Sequence, residues 1–147
     1  MAFTCALGCL VAAMALGTSG LARAGSGSEG CSVSTLQGLY VFNAQGWNIQ
    51  GRAVPKAVLD GVRFNGDGTL ATTFGTVSIN GVIFHGGGNE AGTYTVNEDC
   101  TGTVTITVTG VMYDTFVRPD GGQVWMIQTS GPGGTPSVLE GTATRVP

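Results

Sequence analysis

From about residue 31 onward, apolar and polar positions alternate in short runs that are broken by turn residues. The clearest run is Thr103-Val-Thr-Ile-Thr-Val-Thr109: Val104, Ile106 and Val108 take one side and the threonines the other, as in a strand with one face against a core. The same pattern predicts strands over residues 36–45, 57–64, 69–79, 82–85, 92–97, 103–109, 111–118, 123–130 and 138–146. Between them lie Asn65-Gly-Asp-Gly68, Asn80-Gly81, Gly86-Gly-Gly88, Glu98-Asp-Cys-Thr101 and Pro119-Asp-Gly-Gly122, all short turn signals. Connections this short rule out parallel pairing. No segment sustains a 3.6-residue period.

The fold class that follows is all-β, an antiparallel up-and-down barrel of 8–9 strands whose last strand pairs with its first and so leaves no sheet edge. A two-sheet β-sandwich is the alternative. It would need long crossovers, and the long irregular segments are only 46–56 and 131–136. The first, with Trp47, Ile49 and Val54, reads either as a lid over one mouth or as an ordinary loop. In Gln123-Val-Trp-Met-Ile-Gln128 both faces carry large apolar groups, which suggests a strand covered on both sides, by the Trp47 segment or by a homo-oligomer contact.

Charge narrows the partners. Of the 147 residues nine are acidic and six basic, and the pI is near 4.8. Nucleic acid and anionic membrane surfaces need a basic patch that a few scattered cations do not supply, so neither is expected as a partner. Hydrophobic residues at 42% with only 10% charged favour collapse over disorder.

Residues 1–24 read as a signal peptide: an apolar run to Gly17, then Ala22-x-Ala24, the small-residue pattern accepted by signal peptidase. The run is short for a bilayer span, so no stable membrane span is expected after cleavage. Residues 25–30 form a Gly/Ser tether and 31–147 a single β-barrel domain, secreted or periplasmic. Cleavage removes Cys5 and Cys9 and leaves Cys31 and Cys100 in an oxidising compartment, where a disulfide is expected. It would close a loop of about 70 residues and, on the chain-entropy model, stabilise the fold by roughly 4 kcal/mol.

The motifs Leu36-x-Gly38-x-Tyr40-x-Phe42, Gly66-Asp-Gly-Thr69, Gly92-x-Tyr94-x-Val96, Asp99-Cys100-Thr-Gly-Thr103 and Glu140-Gly-Thr-Ala-Thr-Arg145, together with Cys31, resemble small exported bacterial β-barrel proteins of unassigned function. The layout is similar to calycin-type barrels, meaning lipocalin-like binders and the allene oxide cyclase barrel. These motifs are strand and turn residues, so the resemblance implies architecture and transfers no catalytic residue. The lipocalin Gly-x-Trp pattern is not matched, since Gly46 and Trp47 are adjacent.

Most catalytic templates fail by counting. One histidine, His85, cannot build a multi-histidine zinc site, and there is no G-x-S-x-G elbow or P-loop. Gly25-x-Gly27-x-x-Gly30 has no strand before it and no helix after it, so it is no dinucleotide site. Asn65-x-Asp67-Gly68 hints at a calcium loop, but Thr76 stands where the closing glutamate belongs. No pattern requires a metal or cofactor.

What remains is an expected small hydrophobic ligand in the lumen, lined by Tyr40, Trp47, His85, Tyr94 and Trp125. An alternative is a cyclase- or isomerase-type enzyme on the same frame, with His85, Glu90, Asp114 and Arg63 as candidate catalytic groups. A third is a structural or surface-interaction protein with a solid core. On strict alternation Asp114 shares a face with Met112 and Phe116, and Arg63 with Gly61 and Asn65. Each is therefore either paired inside or outward and wet.

Overall fold

The structure is a computed structural model and describes residues 30–147; the leader over 1–24 and all but the last residue of the tether lie outside the described residues. Nine strands follow a short 3-10 turn, Val33–Thr35: β1 (Gln37–Gln50), β2 (Arg52–Asn65), β3 (Thr69–Ile79), β4 (Val82–Gly86), β5 (Ala91–Val96), β6 (Thr101–Ile106), β7 (Val111–Val117), β8 (Gln123–Ser130) and β9 (Ser137–Arg145). All pairings are antiparallel. The order β2-β1-β9-β8-β7-β6-β5-β3 closes on itself through β2–β3, and β4 hangs on β3 as an extra strand. The barrel is thus observed in place of the sandwich.

Closure comes from β1 pairing with β9 from Tyr40↔Arg145 to Asn48↔Ser137. Inward positions follow the apolar phase: Tyr40, Phe42 and Ala44 on β1, Val58, Val62 and Phe64 on β2, Val111, Tyr113 and Val117 on β7, Val124 and Met126 on β8. The outward set is mixed: threonines and charged residues share it with exposed apolar side chains such as Leu59, Phe74, Met112, Phe116, Ile127 and Val138.

Three local expectations are corrected. Residues 46–56 are neither lid nor loop: β1 and β2 stay paired out to Gln50↔Arg52, so Trp47 and Ile49 are strand residues. The outer face of β8 is consequently left uncovered by that segment, and Trp125 (44%) and Ile127 (55%) are exposed. The strand at 103–109 ends at Ile106, where Gly110 N–H bonds the Ile106 carbonyl at 2.9 Å, so Val108 sits in a turn and not in the core.

The phase of β3 reverses midway. A register shift opposite Gly61/Val62 leaves Thr73 as an extra residue: Leu70 and Thr72 point in before it, Gly75, Val77 and Ile79 after it. A second irregularity separates β4 from β5. The base of β3 (Thr69–Ala71) pairs with β5 and its upper half (Gly75–Ile79) with β4, so β4 and β5 act as one strand interrupted at 87–90.

One end of the barrel is closed. The 3-10 turn and buried Leu36 fill it, and Cys31 and Cys100 lie at disulfide bonding distance with Cα atoms 4.9 Å apart, fastening the turn to the β5–β6 connection. The Tyr40 hydroxyl donates to the Gly121 carbonyl, and the Tyr94 hydroxyl lies 2.8 Å from the Val33 carbonyl and 3.0 Å from that of Leu36. Above them Tyr40, Phe64 and Tyr94 pack edge to face, with centroids 5.1 and 4.9 Å apart. This half is solid.

Candidate functional site

The other half of the lumen is open, with a cavity of about 430 Å³ under the mouth. Its apolar wall is Val58, Val77, Ile79, Ile106 and Val111, and Phe84 of β4 stands at its rim. Tyr113 contributes to the floor, resting edge-on against Phe42 at 5.4 Å between centroids, which separates the cavity from the packed half. Two further depressions, of about 640 and 540 Å³, are open grooves on the outside: one beside Arg118 and Arg145 at the closed end, the other beside Trp47 and Val138.

Polar groups converge on the cavity from five strands and the 87–90 break: Asn48 on β1, Lys56 and Asp60 on β2, Thr72 on β3, Tyr113 on β7, Gln128 on β8, and Glu90. All stand in the inward phase of their strands, so the same alternation that builds the core aims them inside. The break in the β4–β5 strand sets Glu90. Thr72 holds it with its carbonyl accepting from Asn89 N–H (2.8 Å), its N–H donating to the Glu90 carbonyl (3.0 Å), and its hydroxyl accepting from Glu90 N–H (3.1 Å).

Asp60 faces Gly75 across the β2–β3 ladder. A Cβ at Gly75 would lie 2.9 Å from Asp60 Oδ1, so only glycine leaves that carboxylate room without something shifting. Burial pushes the Asp60 carboxyl up to about 6; the Glu90 charge adds to this, while the Thr76 backbone N–H and Lys56 oppose it. Burial pulls the Lys56 ammonium below its ordinary value, with Asp60 acting the other way. Burial, then the Asp60 charge, raises the Tyr113 hydroxyl.

The residues singled out from sequence fall into different places. Tyr40 and Tyr94 are inside, but in the sealed half, with their hydroxyls bound to backbone carbonyls. Trp47 (50% exposed) and Trp125 are on the outer wall, Trp125 beside Phe116. His85 borders the mouth on β4; it pairs with Thr76 and its Nδ1 lies 3.3 Å from Thr76 Oγ1, on the face of the hairpin opposite Val77 and Phe84. Glu90 lines the cavity. Asp114 and Arg63 are outward and exposed, as Met112 and Phe116 beside Asp114 are. The calcium-like loop is a turn in which Asp67 accepts from Thr69 N–H and Oγ1–H (2.9 and 2.6 Å).

Sequence reasoning missed Lys56, Asp60, Asn48, Tyr113 and Gln128 as a group. The signal was available: 56, 58, 60 on one strand and 124, 126, 128 on another put charged or amide side chains in phase with buried valines and methionine. Among the described residues no three His, Cys, Asp or Glu side chains are placed to hold a metal ion, and no helix is long and apolar enough to cross a membrane. Comparison of the chain with protein-family models, with curated proteins and with solved structures gives no match. The likeness to calycin-type barrels therefore rests on layout, an antiparallel eight-stranded barrel with one closed and one open end.

Proposed function

We propose that this protein is a secreted or periplasmic binder that takes one small, mostly apolar molecule into the open half of its barrel. The observation that carries the reading is the cavity of about 430 Å³, walled by valine and isoleucine at the open end of the barrel, whose other end is packed among the described residues. A space of this size suits a compact ligand, and an eight-stranded barrel is wide enough to hold one. The apparent signal sequence and the Cys31–Cys100 pair support export. The test is native mass spectrometry of protein purified from its own exported fraction, alongside titration with a polarity-sensitive dye. Binding should saturate at one molecule per chain and vanish when Val111→Trp fills the cavity. A dye response unchanged by that substitution would place binding on the outer grooves instead.

A second reading, a cyclase or isomerase, is favoured by one observation: Asp60, pushed up to about 6, faces the same enclosed space as Tyr113 and Glu90. A carboxyl poised near neutral pH can take or return a proton within a bound substrate. Product formation that disappears in Asp60→Asn while binding persists would establish it. Binding without turnover across a panel of epoxides and terpenoids would leave the protein a carrier.

A further inference from the structure

We infer that the lumenal ligand carries a protonated amine, seated against Asp60 and Glu90 with the rest of the molecule on the valine and isoleucine wall. The inference rests on the binding reading above and specifies its ligand.

The first observation is the charge inside the barrel. Asp60 and Glu90 both line the cavity, and among the described residues neither has a cation within 4 Å; the ion pair present, Arg118–Asp120 at 2.6 Å, is at the closed end. Lys56 faces the same cavity, so with both carboxylates ionised the lumen holds one excess negative charge. An ammonium ligand would bring it to neutrality, whereas a carboxylate ligand would double the excess in a space poorly screened by water. His85 stands at the mouth of the same cavity, its Nδ1 3.3 Å from Thr76 Oγ1, and among the described residues no ion pair joins it to Asp60 or Glu90.

The second observation is independent of the acids. Asn48, Lys56 and Tyr113 are each more than nine-tenths buried, line the cavity, and have no side-chain hydrogen-bond partner among the described residues. Among the described residues no fully enclosed side-chain nitrogen or oxygen lacks a partner, so polar atoms of these three that have none open onto the cavity, where a guest or its water can meet them. The third is steric: the glycine at 75 keeps space open beside Asp60 Oδ1, where a larger residue would press on the carboxylate. Together these describe a pocket with an anionic corner, hydrogen-bonding groups around it and an apolar wall.

The test uses three probes with one body and different heads: 4-phenylbutylamine, 4-phenylbutan-1-ol and 4-phenylbutyrate, titrated calorimetrically into the oxidised protein at pH 8. The amine should bind about tenfold more tightly than the alcohol, as expected for one buried charge-assisted contact, and the carboxylate least tightly. Asp60→Asn should bring the amine down to the alcohol's affinity while leaving the alcohol within about twofold, and Lys56→Met should tighten the amine. Glu90→Gln serves the same purpose should Asp60→Asn fold poorly, with near-ultraviolet circular dichroism as the check. Lowering the pH from 8 to 5 should weaken the amine and not the alcohol, because Asp60, pushed up to about 6, accepts a proton over that range. Equal affinity of amine and alcohol overturns the inference and leaves the binding reading intact. So does preference for the carboxylate that Lys56→Met abolishes. Failure of all three probes to bind, with Val111→Trp making no difference to the dye, overturns both.

Discussion

At the end tied by Cys31 and Cys100 the lumen holds three edge-to-face aromatic rings whose two hydroxyls are spent on backbone carbonyls. At the other end the same strands enclose about 430 Å³ bordered by a lysine, two carboxylates, a tyrosine and two amides. The ladders hardly differ between the halves, so hydrogen bonding along the strands does not decide which is filled. Inward side-chain volume and polarity do. Phe64, Tyr94 and Leu36 meet in one half, while Gly75, Thr72 and Val77 leave space in the other. Stability and function are therefore expected to separate along the barrel axis.

The largest effect should come from the packed half. Phe64→Ala removes the central ring of the aromatic stack and should destabilise by about 4 kcal/mol in urea unfolding, whereas Val77→Ala on the cavity wall should lose under about 1 kcal/mol because its inner side already lacks neighbours. Comparable losses at the two positions would break the contrast. Next in size, replacing both Cys31 and Cys100 by serine should lower stability by about 3 kcal/mol, measured against the oxidised protein at equal pH.

Asp60 should act in the opposite direction. Its carboxyl is raised in the fold, so its favourable contribution is present below the unfolded value near 4 and is lost as pH climbs through about 6. Asp60→Asn should therefore leave stability unchanged at pH 4 and increase it by about 2 kcal/mol at pH 8, read from paired unfolding curves. A destabilised variant at pH 8 would mean the carboxylate is satisfied in the folded protein. The smallest effect compares two tyrosines: Tyr94→Phe should cost about 1 kcal/mol, since it strips the Val33 and Leu36 carbonyls of a donor, and Tyr113→Phe close to nothing.

Alternation and turn chemistry made most of the strands readable, because a half-buried antiparallel sheet writes its burial directly into a period of two. The pattern failed where something other than burial ends or extends a strand. Pro55 and the glycines at 46 and 51 disguise a continuous hairpin; Pro55 is tolerated at the end of the β2–β3 ladder, where its carbonyl accepts from Asn80 N–H at 2.8 Å. Alternation also ran past Ile106, and only Gly110 marked the turn. For the site, aromatic residues were attractive candidates, but in a barrel this narrow they are the groups that fill the lumen, so Tyr40 and Tyr94 ended in the solid half. The cavity belongs to the positions where an inward residue is small or polar. Which of those lie at the same height depends on the shear between strands and on the extra residue at Thr73, and neither is encoded in any single segment.

The described chain begins at Gly30, against the 98–101 turn, and ends just beyond Arg145, whose N–H bonds the Gly122 carbonyl at 3.0 Å. Both ends thus leave from the plugged base. A fusion partner, affinity tag or sensor-chip linkage joined directly at Gly30 or at Pro147 would start from that base, at the end away from the opening.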